Sequence, residues 1–157
     1  MGNKKSNRLR DVAEKQRRDV ADVNLTMREA ALLGVASTAE NERPHVNLRY
    51  YWPEHECFSS WGANNLKAFS GFCRKLCLSK WTDIHKSGGS SGHKTGFGYT
   101  PHKDSSVLPA NPELANFSPD LTWFELRVTQ EARVHGFRAR DSFFLVFLDE
   151  KHQIYRS

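Results

Sequence analysis

The sequence lacks long apolar runs, has few cysteines and carries only a small excess of positive charge. No apolar stretch approaches the ~18 residues that a membrane-spanning helix requires. The 157 residues include three cysteines, whereas a secreted disulfide framework would use an even number. The basic N-terminus, MGNKKSNRLR, is not followed by the apolar segment of a secretory signal. We therefore expect a cytoplasmic protein without a membrane span.

Recognisable motifs for metal or nucleotide binding are also lacking. Cys57, Cys73 and Cys77 do not form a C-x-x-C pair, and the run EHE at 54–56 offers too few ligands for zinc. The stretch GHKTGFGYTPHK at 92–103 contains glycine and lysine without the spacing of a phosphate-binding P-loop. The sequence therefore predicts neither a metal site nor a cofactor. Its net charge of +5 favours polyanionic partners modestly.

Charge and apolar spacing divide the chain into a helical arm over 1–40 and an α+β domain over 41–157. In the arm, residues 7–23 alternate in charge around a few apolar positions, which predicts a weakly amphipathic helix, and a second short helix follows over 27–33. In the domain, Leu66, Phe69, Cys73 and Leu76 recur at helical spacing. This predicts a central helix over 64–77 that packs across a sheet.

Alternating and continuous apolar runs predict the sheet. Strands are expected at 45–52, 122–128, 132–138, 142–149 and 153–155. Short polar turns join the last four, which is typical of an antiparallel meander, and the strand SFFLVFLD is apolar on both faces, as in the centre of a sheet. Between helix and meander, residues 87–120 form a long loop rich in glycine and proline. The predicted fold is α+β, with N-terminal helices followed by a central helix on an antiparallel sheet.

The C-terminal strands carry a set of short motifs. They are Glu125-Leu126-Arg127, then Arg133-Val134, and finally the apolar strand within FFLVFLDEKHQIY. In these motifs the last 35 or so residues resemble the RelE/ParE superfamily, and within it the HigB-like toxins. The resemblance implies a toxin that cleaves RNA, often messenger RNA on the ribosome, with a cognate antitoxin as its protein partner.

The resemblance also implies a reaction that uses no metal. A base takes the proton of a ribose 2′-hydroxyl, that oxygen attacks the adjacent phosphate, and an acid protonates the leaving 5′-oxygen. Cationic side chains stabilise the charge that builds on the phosphorane. The catalytic candidates are Arg133, His135, Arg138, His152 and Tyr155. The RNA-binding candidates are Lys94, Lys103, Arg140 and Lys151.

Other interpretations of the same residues remain open. Each arginine of the meander is also a candidate for a cross-strand ion pair with Glu125, Glu131 or Asp141. His152 is equally typical of a solvated turn. At the level of function, the alternatives are a non-catalytic nucleic-acid-binding accessory protein of a phage or plasmid, and a protein–protein interaction module that docks through the arm.

Overall fold

A computed structural model describes residues 43–88 and 96–155, and it shows an α+β domain built on one mixed sheet. The five strands are β1 (His45–Asn47), β2 (Thr100–Pro101), β3 (Trp123–Arg127), β4 (Arg133–Ala139) and β5 (Ser142–Asp149). Their order across the sheet is β1-β5-β4-β3-β2. Two α-helices, α1 (Ala63–Leu78) and α2 (Trp81–Lys86), precede β2 in the chain. The predicted arm over 1–40 lies outside the described residues.

Strand β5 lies inside the sheet, between β1 and β4, as its continuous apolar run predicted. Its pairing with β4 shifts register between His135 and Gly136, where a β-bulge interrupts the ladder. A side chain at position 136 would overlap the carbonyl group of Phe144, so only glycine fits there. At this bulge two successive residues of β5, Val146 and Phe147, both pack on the side of the sheet opposite the helices.

Each face of the sheet packs a separate apolar cluster. The helical side contains Phe72 and Leu76 of α1 and Trp81 and Ile84 of α2, against Leu126, Val134 and Leu145 of the strands. The opposite side contains Trp123, Phe137, Val146 and Phe147, covered by side chains from the segments around Tyr50 and Phe117. Burying each such side chain stabilises the fold by roughly 1.5–3 kcal/mol. The two clusters hold the sheet rigid from both sides.

Helix α1 covers 63–78 and confirms the helix predicted over 64–77. It ends at Leu78, and α2 begins at Trp81, whose indole N–H donates to the backbone carbonyl of Asp141 at 3.1 Å. That bond ties α2 to the turn between β4 and β5. No helix in the described ranges is long and apolar enough to cross a membrane.

The structure corrects three details of the predicted sheet. First, β1 pairs with β5 in parallel, so the sheet is mixed rather than antiparallel. Second, the strand predicted over 45–52 ends at Asn47, because the Asn47 side chain accepts from the Arg49 amide at 2.9 Å and turns the chain. Third, residues 153–155 form no strand, because the Asp149 carboxylate accepts the amides of Gln153 and Ile154 at 2.7 and 2.9 Å.

The long segment predicted as a loop over 87–120 has some regular structure where it is described. It contains β2 and two 3₁₀ helices, Ser105–Val107 and Pro112–Asn116. Asp104 and Asn111 cap these helices by accepting the amides of Ser106 and Glu113. Residues 89–95 of the segment lie outside the described residues.

Candidate active site

One end of the sheet carries a buried polar cluster on the face opposite the helices. We call it the histidine–carboxylate cluster, and it consists of His102, Glu125, His135, Asp149 and His152. Glu125 and His135 are directly opposed on β3 and β4. Because side chains alternate along a strand, both lie on the same face as Trp123 and Phe137. Burial of three ionisable groups in one patch requires that they satisfy one another.

His135 is the centre of the cluster and has no solvent exposure. Its Nε2 lies 3.1 Å from Asp149 Oδ2 and 4.0 Å from Glu125 Oε2. Its Nδ1 lies 3.0 Å from Nε2 of His102. Substrate cannot touch a ring that is enclosed in this way, so His135 is suited to position other groups and pass charge between them.

Asp149 is ionised in this setting. Burial acts to raise the pKa of Asp149, but the hydrogen bonds from His135 and from the Gln153 and Ile154 amides outweigh it, so the pKa lies below its usual value. The stability that this carboxylate contributes is therefore present above its unfolded-state pKa and lost as pH falls through the lower folded value. An ionised Asp149 only accepts hydrogen bonds, so Nε2 of His135 carries a proton.

His102 lies beside His135 because the pairing of β2 with β3 continues for one more hydrogen bond, in which the His102 amide donates to the Trp123 carbonyl at 2.8 Å. Burial, reinforced by the nearby His135, lowers the pKa of His102 to about 3. His102 is therefore neutral at physiological pH. Its Nδ1 is buried without a hydrogen-bond partner among the described residues, and the Tyr155 ring packs against it with centroids 4.5 Å apart.

These contacts form a relay. A proton accepted at Nδ1 of His102 releases the Nε2 proton of the same ring to His135. His135 in turn lies between the Asp149 and Glu125 carboxylates. The contacts therefore allow a proton to pass between the two rings, away from His102, whose burial disfavours a charge.

His152 forms the exposed part of the cluster. It adopts a left-handed conformation with φ of 50°, in the turn that follows β5. This turn directs its Nε2 to 3.2 Å from Glu125 Oε2, while 27% of its side chain remains exposed. His152 and Glu125 therefore form a histidine–carboxylate pair. A histidine held by a buried carboxylate and open to solvent is the arrangement that general acid–base catalysis requires.

Arg133 lies at the cluster, where its Nε and Nη1 already contact other protein groups. Its Nε lies 3.7 Å from Glu125 Oε1. Its Nη1 lies 3.0–3.3 Å from four carbonyl oxygens, those of Thr129, Gln130, Glu131 and Ala132 in the β3–β4 turn. Burial lowers the pKa of Arg133, and the Glu125 carboxylate acts in the opposite direction. The cross-strand ion pair left open by the sequence is therefore present, and Arg133 stabilises the turn and positions Glu125.

The remaining predicted residues are divided among different surfaces. Tyr155 joins the cluster through its contact with His102. Arg138 does not, because it lies on the helical face, where its guanidinium stacks 4.6 Å from the Trp81 ring. Arg140 is exposed at the turn between β4 and β5, and its backbone carbonyl accepts a hydrogen bond from Arg138 Nε. Lys103 and Lys151 are exposed and adjoin His102 and His152 in the chain. Lys94 lies outside the described residues.

His102, Glu125 and Asp149 were not predicted as catalytic residues. For the carboxylates a signal existed, because Glu125 lies within an apolar strand and Asp149 ends one, and a charge buried in such a place needs a partner. Beside Asp149 lies a shallow pocket of about 270 Å³, lined also by His55, Glu56 and Lys151. Within the described ranges, no group of three or more His, Cys, Asp or Glu side chains is arranged to hold a metal ion.

Comparisons of the chain with protein-family models, curated proteins and solved structures find no match. A functional argument therefore depends on the chemistry of the cluster itself.

Proposed function

We propose that this protein is a cytoplasmic endoribonuclease of the toxin type, cleaving RNA by metal-independent attack of the ribose 2′-hydroxyl. The observation that carries the proposal is that two histidine–carboxylate pairs share one polar cluster. His152 pairs with Glu125, and His135 pairs with Asp149. Transesterification of RNA needs one group to remove a proton and another to supply one, and imidazoles perform both tasks near neutral pH.

Each member of the cluster has a distinct task in this reaction. His152, the solvent-accessible imidazole, takes the 2′-hydroxyl proton while Glu125 orients its ring and stabilises its charge. The oxygen then attacks the adjacent phosphorus, and the bond to the 5′-oxygen breaks. Tyr155, whose ring packs against His102, donates the proton that the leaving oxygen requires. After cleavage His152 releases its proton to solvent and Tyr155 takes one up from solvent, so both groups return to their starting states.

The cations that stabilise the phosphorane differ from those first expected. Arg133 has no spare donor at Nε or Nη1, and Arg138 lies across the sheet from the cluster. Lys103 and Lys151 are the better candidates, because each is exposed and next in sequence to a histidine of the cluster. The resemblance of the C-terminal strands to HigB-like toxins supports the same reaction, with the ribosome and an antitoxin as further proposed partners.

A cleavage assay in chelator tests the proposal. Labelled single-stranded RNA is incubated with the protein in EDTA, with and without ribosomes, and the products are analysed for 2′,3′-cyclic phosphate ends. We expect His152→Ala to lower the rate by about 10²–10⁴-fold, the usual contribution of a general base. His85→Ala removes an exposed histidine of α2, on the other face of the sheet from the cluster, and serves as the matched control. Intact RNA under both conditions, or full activity of His152→Ala, contradicts the proposal.

A non-catalytic nucleic-acid-binding protein is the second candidate. It is favoured by the complete enclosure of His135 and by the internal contacts of Arg133, which are typical of a structural polar cluster. This function predicts RNA binding without any product in the same assay. Binding that survives in His152→Ala without turnover by the wild type identifies it.

A further inference from the structure

The helical layer carries the net positive charge of the described domain. Residues 63–86 contain five Lys or Arg side chains and a single carboxylate, Asp83. The rest of the described chain contains eight Lys or Arg against ten Asp or Glu. All five cations of the layer are exposed, namely Lys67, Arg74, Lys75, Lys80 and Lys86. The charge is therefore concentrated on one side of the sheet.

A single line of exposed residues runs along the outside of α1. It consists of Asn64, Lys67, Gly71, Arg74 and Leu78, and we call it the outer stripe. The spacing of three and four residues places its members above one another on the helix. Lys67 and Arg74 lie about 10 Å apart along the axis, at 1.5 Å per residue. Among the described residues neither makes an ion pair with a carboxylate.

Gly71 is the unusual member of the stripe. Glycine in the interior of a helix is less favourable than alanine, yet a Cβ at position 71 would meet no atom within 4 Å. Its own domain therefore gives no packing reason for the missing side chain. A glycine between two cations instead lets the backbone of a partner approach the helix closely, with Lys67 and Arg74 on either side.

We infer that the outer stripe of α1 binds the phosphate backbone of duplex RNA. The choice of RNA as the polyanion rests on the proposed function, whereas the binding of a polyanion rests on the charge and on Gly71. The exposed residues of α1 include no aromatic side chain, so the stripe has no means to stack unpaired bases. Contacts of Lys and Arg to phosphates are independent of sequence and fit a duplex.

The position of the stripe also defines the class of substrate. Helix α1 packs on one face of the sheet, and the histidine–carboxylate cluster lies on the other. A short oligonucleotide at the cluster does not reach the stripe. A structured RNA can place a duplex on α1 and a single-stranded segment at His152, so the inference names folded RNA as the substrate.

The test measures binding separately from cleavage. Full-length protein with His152→Ala is titrated against a fluorescent RNA duplex of about 20 base pairs, a length near the span of common duplex-binding domains. We expect the double variant Lys67→Ala, Arg74→Ala to bind the duplex about tenfold more weakly. The slope of log affinity against log salt concentration should fall by an amount that corresponds to about two fewer released counterions. The matched control, Arg43→Ala with Arg49→Ala, removes the same charge elsewhere and is expected to leave binding nearly unchanged.

Gly71→Leu provides an independent measurement. Leucine favours helix more than glycine does, and Gly71 is exposed with no atom within 4 Å of an added Cβ, so the midpoint of thermal unfolding is expected to stay or rise. Affinity for the duplex is expected to fall several-fold, because the side chain blocks close approach. Wild-type affinity of Gly71→Leu, equal losses in the two double variants, or no duplex binding at all would overturn the inference. Duplex binding through the stripe without RNA cleavage would refute the proposed function alone.

Discussion

The position of His102 in the structure differs from the position expected from the sequence. In the sequence it is one of several basic residues in a glycine-rich loop. In the structure it contacts His135 at 3.0 Å, because the pairing of Thr100–Pro101 with β3 brings residue 102 to the sheet. A pairing of two residues leaves almost no signal in composition or periodicity. His135 and His152 were named as candidates because they lie in or directly after strands with long apolar runs, and the structure places both in the cluster. Their catalytic roles stay predictions.

The low pKa of His102 predicts a specific loss of stability in mild acid. The unfolded chain takes up a proton on His102 near pH 6.5, whereas the folded chain does so only near 3. The contribution is therefore complete above pH 6.5 and is lost as pH falls toward 3. Between pH 7.5 and 5 the free energy of unfolding of the wild type should fall by about 1 kcal/mol more than that of His102→Phe. This value is reduced to allow for the partial exposure of the ring.

Urea unfolding at the two pH values measures this difference. His102→Phe keeps a ring against Tyr155 and removes only the titrating nitrogens, so the comparison isolates protonation. Burial and the nearby Arg138 also lower the pKa of His85. This residue is the same in both proteins, so its contribution to the pH dependence cancels in the comparison. Equal pH dependence in the two proteins would mean that His102 is not shielded from water.

At the scale of elements, the bulge between His135 and Gly136 decides the geometry of the cluster. It places His135 opposite Phe147 and Gly136 opposite Leu145, so that β5 has one extra residue. The strand boundaries of β3, β4 and β5 were predicted to within one residue, because their apolar runs are long and end in polar turns. The parallel pairing of β1 was not predicted, since contact between residues 45 and 142 has no local signal.

Gly136→Ala is predicted to destabilise the domain by about 3 kcal/mol or more, because its methyl group would overlap the Phe144 carbonyl and force the strands apart. Denaturant unfolding gives the change in free energy. Gly71→Ala is the matched control and should stabilise the protein by about 0.5–1 kcal/mol, since it only improves helix propensity. A loss below 1 kcal/mol for Gly136→Ala would show that the bulge adapts easily.

At the scale of the whole molecule, order is expected to decrease from the sheet centre outward. Strands β4 and β5 are paired on both sides and packed on both faces. Residues 105–116 have short 3₁₀ helices and mostly exposed side chains. The sequence predicts the same contrast, because glycine, proline and polar residues bury little apolar surface with which to fix such a segment.

Hydrogen exchange followed by mass spectrometry tests the contrast. We expect backbone amides of β5 to exchange about a hundredfold or more slowly than those of 105–116, because opening β5 requires global unfolding whereas the 3₁₀ helices open locally. Peptides from α1 should show intermediate protection. Equal protection of 105–116 and β5 would mean that the segment unfolds together with the core.

The shortness of the two outermost strands has a further consequence. β1 spans three residues and β2 spans two, one of which is Pro101, which has no amide hydrogen to donate. Within the residues that the structure describes, β1 and β2 therefore offer a neighbouring molecule little backbone against which to add a strand. The domain should resist polymerising into fibrils through its borders, even at the high local concentrations of an overexpressing cell.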